Sequence, residues 1–136
     1  MSVIDVVAAV IKHDNKYLCA QRKESKFYYL SHKFEFPGGK IELNETPEEA
    51  LHREISEELD TNIKIISILK KVDHKYPDFS VRITFYECNI FENQLLKKID
   101  HNCLSWLSKD ELHKLDWADA DIPIVELLQQ ESETTA

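Results

Sequence analysis

From Val3 to Ile11 the chain is almost continuously apolar and rich in β-branched residues, a pattern that predicts a buried strand. His13-Asp14-Asn15-Lys16 supplies a turn, and Tyr17 to Arg22 reads as the partner strand of a hairpin. Lys23 to Lys33 is polar and aromatic without a period and reads as a loop. Phe34 to Phe36 forms a short strand stopped by Pro37. Thr46-Pro47-Glu48-Glu49 opens a helix: Thr46 caps it, Pro47 suits its first position, and Glu49 completes a capping box. Leu51, Ile55 and Leu59 recur every four residues as one buried stripe, and Asp60-Thr61-Asn62 ends the helix.

Ile63 to Asp73 and Phe79 to Ile90 are strands about a turn at Tyr76-Pro77-Asp78. The second alternates, with Val81, Ile83 and Phe85 on one face and Arg82, Thr84 and Tyr86 on the other. Cys103 to Leu107 is a further short strand. Ser108-Lys109-Asp110-Glu111 is a second capping box, opening a brief helix, and a last helix runs from about Ile122 to Gln130. Hairpins mixed with helices predict one α+β domain over 1–136, with helices covering a mixed sheet. Residues 131–136 are expected to form a disordered tail.

Composition narrows the function classes. With 136 residues, 43% hydrophobic and 31% charged, the chain can bury one core and has little room for a second. No apolar run approaches the roughly 20 residues of a membrane span, and no basic segment precedes an apolar leader. Cys19, Cys88 and Cys103 form no CxxC pair, which argues against a zinc site or a disulfide framework. A reducing cytoplasm is the expected setting. The net charge of −8 argues against a nucleic-acid polymer as partner. It is compatible with a small phosphorylated ligand if cations stand between the two.

Those cations have an evident place. Seven glutamates lie between Glu42 and Glu58, and the chain's only glycines, Gly38 and Gly39, directly precede them. The pair is read as a turn that brings a backbone carbonyl to a ligand. Glu54, Glu57 and Glu58 stand at i, i+3 and i+4, on one side of the helix, and Arg53 stands at i, i+4 from Glu57. Oxygen-only ligands suit Mg²⁺, with Mn²⁺ as the alternative. A solvated acidic helix face is the plainer reading of the same residues.

Gly39, Glu45, Arg53, Glu54, Ile55, Glu57 and Glu58 are spaced as in the Nudix box: glycine, five residues, glutamate, seven residues, Arg-Glu, an aliphatic, one residue, Glu-Glu. The chain resembles the Nudix hydrolase family, in particular its MutT-like branch of 8-oxo-dGTP diphosphatases and CTP pyrophosphohydrolases. Two positions depart from the box. Asp60 replaces the closing glycine and Thr61 the aliphatic after it, which puts the helix C-cap in question.

The resemblance implies the Nudix fold, a mixed sheet sandwiched between helices. It implies Mg²⁺-dependent hydrolysis of a nucleoside triphosphate to monophosphate and pyrophosphate, of 8-oxo-dGTP or a cytosine (deoxy)nucleotide, which would clear damaged precursors from the nucleotide pool. It implies metal binding by Glu54, Glu57, Glu58 and the Gly39 carbonyl, with Glu45 and Arg53 bracing loop and helix. Asp100, six residues before Trp106, takes the place of a later catalytic or metal-assisting glutamate. Any of Glu54, Glu57, Glu58 and Asp100 could be the general base. Arg22, Phe36, Gly38, Lys40, Tyr76 and Asp121 are the expected substrate contacts, with Phe36 equally a core residue. Asp121 corresponds to the base-reading position and could instead cap the last helix. His101, beside Asp100, is a possible neighbour of the site, and the other histidines read as surface residues. The expected assembly is a monomer or homodimer without membrane contact. Two other readings are a nucleotide-sensing module that has lost catalysis and a hydrolase of nucleotide sugars or dinucleotides.

Overall fold

The computed structural model describes residues 3–91, 96–98 and 100–131; of the tail expected at 131–136, Glu131 instead closes the last helix, and 132–136 lie outside the described residues. Strand β1 (Val3–His13) is the spine. It turns at Asp14-Asn15, both with positive φ, into β2 (Lys16–Arg22). A two-residue hairpin loop needs that backbone to match the strand twist, and Asn and Asp tolerate it. Strands β3 (Phe34–Glu35) and β4 (Gly38–Lys40) follow, then helix α1 (Pro47–Leu59). Strands β5 (Ile63–Lys75) and β6 (Ser80–Ile90) form a long hairpin, followed by β7 (His101–Leu107), a 3₁₀ helix at Lys109–Lys114, and α2 (Ile122–Glu131).

The sheet is mixed, in the order β3-β2-β1-β6-β5, with β4 on β1 and β7 on β2. β1 runs parallel to β6 from Val3↔Ser80 to Ile11↔Cys88. On its other edge β1 is shared. β4 pairs with Val6 to Ala8, whereas β2 pairs only with Lys12 and His13. The two strands therefore splay, and the segment from β3 through Pro37 to β4 crosses the gap, with Ala9 N–H donating to Pro37 C=O (2.8 Å).

β1 lacks alternation because both its faces are covered. Val7, Ala9 and Ile11 pack with Leu51, Ile55 and Leu59 of α1. Ala8 and Val10 belong to the opposite core with Phe85 of β6 and Ile124, Val125 and Leu128 of α2. The sandwich expected from the sequence is thus present. Thr46 and Glu49 form the capping box of α1, and Asp60 closes it in the left-handed conformation (φ 50°, ψ 46°). Asp60 adopts the shape for which glycine is usually chosen, so its replacement of glycine leaves the cap intact.

The diglycine is not a turn. Neither glycine has positive φ, and both lie in β4, paired with Ala8 and Val7. They are required for close approach instead. A Cβ on Gly38 would run into the backbone oxygen of Val7, and one on Gly39 into the Glu54 carboxylate.

Candidate active site

The end of β4 and the inner face of α1 form a cleft lined with carboxylates. Because Gly39 has no side chain, Glu54 lies flush against the β4 backbone. Arg53 fastens the helix to the preceding loop. Its Nε donates to Glu45 (2.6 Å), its Nη2 to Lys40 C=O (3.0 Å) and its Nη1 to Glu54 (2.8 Å). Glu45 in turn accepts from Glu42 N–H (2.8 Å). The Arg53 bond and this N–H hold the Glu45 carboxyl below the usual range. Glu45 and Arg53 thus link the loop to the helix.

The three helix glutamates differ in setting. The Glu58 side chain is 8% exposed and that of Glu57 55%, the latter at the rim, 3.4 Å from Arg53. Burial pushes Glu58 up to about 10, aided by hydrogen bonding to Glu54 and the charges of Glu35, Glu54 and Asp100. Among the described residues, no three His, Cys, Asp or Glu side chains close into one metal-ligand cluster. Arg53 draws Glu54 and Glu57 to itself, and Glu58 pairs with Glu54. The donor chemistry still fits a hard divalent cation. Two carboxylates share one buried place beside a backbone strand, which requires a proton or a cation between them, and every donor is oxygen.

Sequence reasoning did not single out Glu35, and it left His101 as a possible neighbour. His101 is buried at the start of β7, and its Nε2–H donates to Glu35 Oε2 (2.9 Å). Glu58 Oε1 lies 3.7 Å from the same nitrogen. Arg22 holds the other oxygen of Glu35 (2.9 Å). Glu35, Glu58, Asp100 and His101 line a polar cavity of about 300 Å³, so Asp100 does reach the cleft. The order Glu35-Phe36-Pro37 beside the diglycine was the available signal for Glu35. His101 gave no ligand spacing to notice.

A second cavity of about 510 Å³ adjoins the first, and Arg22, Glu35 and Gly38 line both. Its walls include Phe27, Phe36, Tyr76 and Phe79, and Lys40 and Asp121 also line it. Phe36 is a core residue as well as a wall, stacked on Trp117 with ring centres 4.7 Å apart. Tyr76 stacks on Tyr29 (5.3 Å), and its hydroxyl accepts from Ala120 N–H (3.0 Å). Burial raises the Tyr76 phenol to about 12. Asp121 is buried, and its Oδ1 accepts from Phe36 N–H (3.0 Å). This bond, across 85 positions of sequence, commits Oδ1 to β3–β4 and makes Asp121 a cavity group. Burial, then the Glu35 charge, raises its carboxyl well above the usual range.

The NUDIX domain model matches residues 6–127. The 8-oxo-dGTP diphosphatase of Escherichia coli (strain K12) is 28% identical over 96% of this chain and 99% of its own length. The CTP pyrophosphohydrolase of the same organism is 32% identical over 93% of this chain and 91% of its own. Among solved structures, the DNA mismatch repair protein MutT (family Nudix hydrolase) from methicillin-resistant Staphylococcus aureus 252 is 42% identical. It covers 96% of this chain and 98% of its own, with a TM-score of 0.74.

Proposed function

Because the chain belongs to the NUDIX domain family and is a hydrolase of that family, we propose that it converts a nucleoside triphosphate to the monophosphate and pyrophosphate, with 8-oxo-dGTP as its preferred substrate. The observation that carries this reading is the adjacency of two cavities. One is apolar, aromatic-walled and of the volume common in small-molecule sites; the other is lined with carboxylates.

In this reading Glu54, Glu57, Glu58 and the Gly39 carbonyl hold Mg²⁺, with Mn²⁺ as the substitute. When bound, the cation neutralises phosphate charge and makes water a better nucleophile. Arg53 and Glu45 keep α1 against β4, so Glu54 and Glu58 stay in place without substrate. Water adds to a phosphorus beside the α–β bridging oxygen, the bridging P–O bond breaks, and a cleft carboxylate takes the water proton. Glu54, Glu57, Glu58 and Asp100 are the candidates. Arg22, which lines both cavities, contacts phosphate or base in this reading, and Gly38 and Lys40, which line the larger cavity with it, are further substrate contacts.

Base choice turns on Asp121. With Oδ1 accepting from Phe36 N–H, a neutral Asp121 carries its proton on the other oxygen and can donate as well as accept, as an asparagine does. That suits an oxidised guanine. An ionised Asp121 would only accept and would favour the amino group of a cytosine nucleotide, which is the second reading. A pyrophosphate-release screen over normal and oxidised triphosphates, with and without Mg²⁺, tests the proposal. Fastest release from 8-oxo-dGTP, only with the metal, is expected. Faster release from CTP or dCTP favours the second reading, and no release from any triphosphate would leave a nucleotide-binding module.

A further inference from the structure

We propose that His101 is a positioning residue, whose imidazole N–H, aimed by Glu35, keeps the Glu58 carboxylate in the cleft and so sets how tightly the cleft holds a divalent cation. This rests on reading the cleft as a cation site.

Three observations converge on it. First, the His101 side chain is 3% exposed at the start of β7, so packing restricts its rotation. Second, both oxygens of Glu35 are committed, Oε1 to Arg22 and Oε2 to His101, each at 2.9 Å. Glu35 therefore cannot follow a cation into the cleft without releasing one of them, and it serves to aim the ring. Third, the Nδ1 of His101 is buried and has no hydrogen-bond partner among the described residues. Packing and the contact at Nε2 therefore fix the ring plane.

The Nε2 of His101 is thus near both carboxyl groups, bonded to Glu35 at 2.9 Å and with Glu58 Oε1 at 3.7 Å, where its N–H favours the ionised form of Glu58 that a cation requires. Glu58 also faces Glu54 and Asp100. Without the imidazole, Glu58 loses this neighbouring N–H and is left facing the Glu35, Glu54 and Asp100 carboxyl groups. Partners that orient a ligand in this way typically change metal affinity about 10- to 100-fold when removed.

The test is Mn²⁺ titration without nucleotide, following the electron paramagnetic resonance signal of free Mn²⁺, on the wild type, His101→Leu and His101→Gln. Leucine keeps bulk but donates nothing; glutamine can place an N–H near the position of Nε2. The leucine variant should bind Mn²⁺ at least about tenfold more weakly, with the glutamine variant restored to within about threefold of wild type. Equal binding by wild type and leucine variant overturns the proposal, as does a glutamine variant no better than leucine. Failure of the wild type itself to bind Mn²⁺ would overturn the cation-site reading, a distinguishable outcome. Should the leucine variant not fold, Mg²⁺ titration of ¹⁵N-labelled wild type decides. The His101 ring nitrogen signals must move while those of His113 stay, and unmoved His101 signals overturn the proposal.

Discussion

The carboxylate cleft and the aromatic cavity share a wall at Arg22, Glu35 and Gly38, yet they are built in opposite ways. The α1 side of the cleft comes from one segment, Gly38 to Glu58, in which β4 leads through a short loop into α1 and Arg53 ties the ends together, while Arg22, Glu35, Asp100 and His101 complete the lining. The cavity has no such segment. It gathers Phe27 from the β2–β3 loop, Tyr76 and Phe79 from the β5–β6 hairpin tip, and Asp121 from before α2. Chemistry encoded in local spacing can be read from a sequence. Selectivity assembled from distant loops depends on the fold, and one substitution there can change the ligand without touching the reaction.

That division predicts separable effects. The largest belongs to the cleft. Glu54→Gln and Glu58→Gln should each lower kcat by about 10²- to 10⁴-fold, with thermal unfolding and monophosphate binding near wild type. Near-normal turnover in both would break the assignment. Asp121→Ala should do the reverse, reordering the triphosphates while turnover of the best substrate changes little.

The two glycines sharpen the contrast within one strand. An added Cβ at Gly38 meets the Val7 backbone, which cannot yield without moving β1, so Gly38→Ala should destabilise the fold by about 1–3 kcal/mol. At Gly39 the obstacle is the Glu54 carboxylate, the far end of a flexible side chain. Gly39→Ala should therefore unfold within a few degrees of wild type while losing at least about tenfold in turnover. Urea unfolding and initial rates on the two variants check this, and equal effects on both measures would contradict it.

The smallest effect is a pH dependence at the cavity. Burial keeps Asp121 protonated in the folded chain well above the usual carboxylate range, whereas the unfolded chain ionises near the ordinary value of about 3.9. Between those values the folded state binds more protons, so this group lowers stability as pH rises, and the cost is complete above the folded value. Asparagine keeps the acceptor for Phe36 N–H and removes that cost. The stability of Asp121→Asn relative to wild type should increase from pH 4 to pH 8, measured by urea unfolding. A difference that does not vary with pH would contradict the buried neutral acid.

What the sequence disclosed follows the same division. The capping box at Thr46 and Glu49, the stripe Leu51, Ile55 and Leu59, and the close of the helix at Asp60 are local patterns, and each is realised. The hairpin at Asp14-Asn15 is likewise short-range. The diglycine misled because glycine in a sequence signals both turns and close approach, and only the register of β4 on β1 distinguishes them. Phe27, Tyr29 and Phe79 lay in or beside segments without a period, and their stacking depends on two loops meeting. His101 and Glu35 are 66 positions apart, beyond the reach of any spacing rule.

The central claim, that Glu54 and Glu58 hold a divalent cation against the β4 backbone, is tested most directly by a crystal structure with Mn²⁺ and a non-hydrolysable triphosphate analogue. The account predicts an anomalous-scattering peak bounded by Glu54, Glu58 and the Gly39 carbonyl, with the polyphosphate on it and the base between Tyr76 and Asp121. Manganese bound elsewhere, with Glu54 and Glu58 still paired to each other, would contradict it.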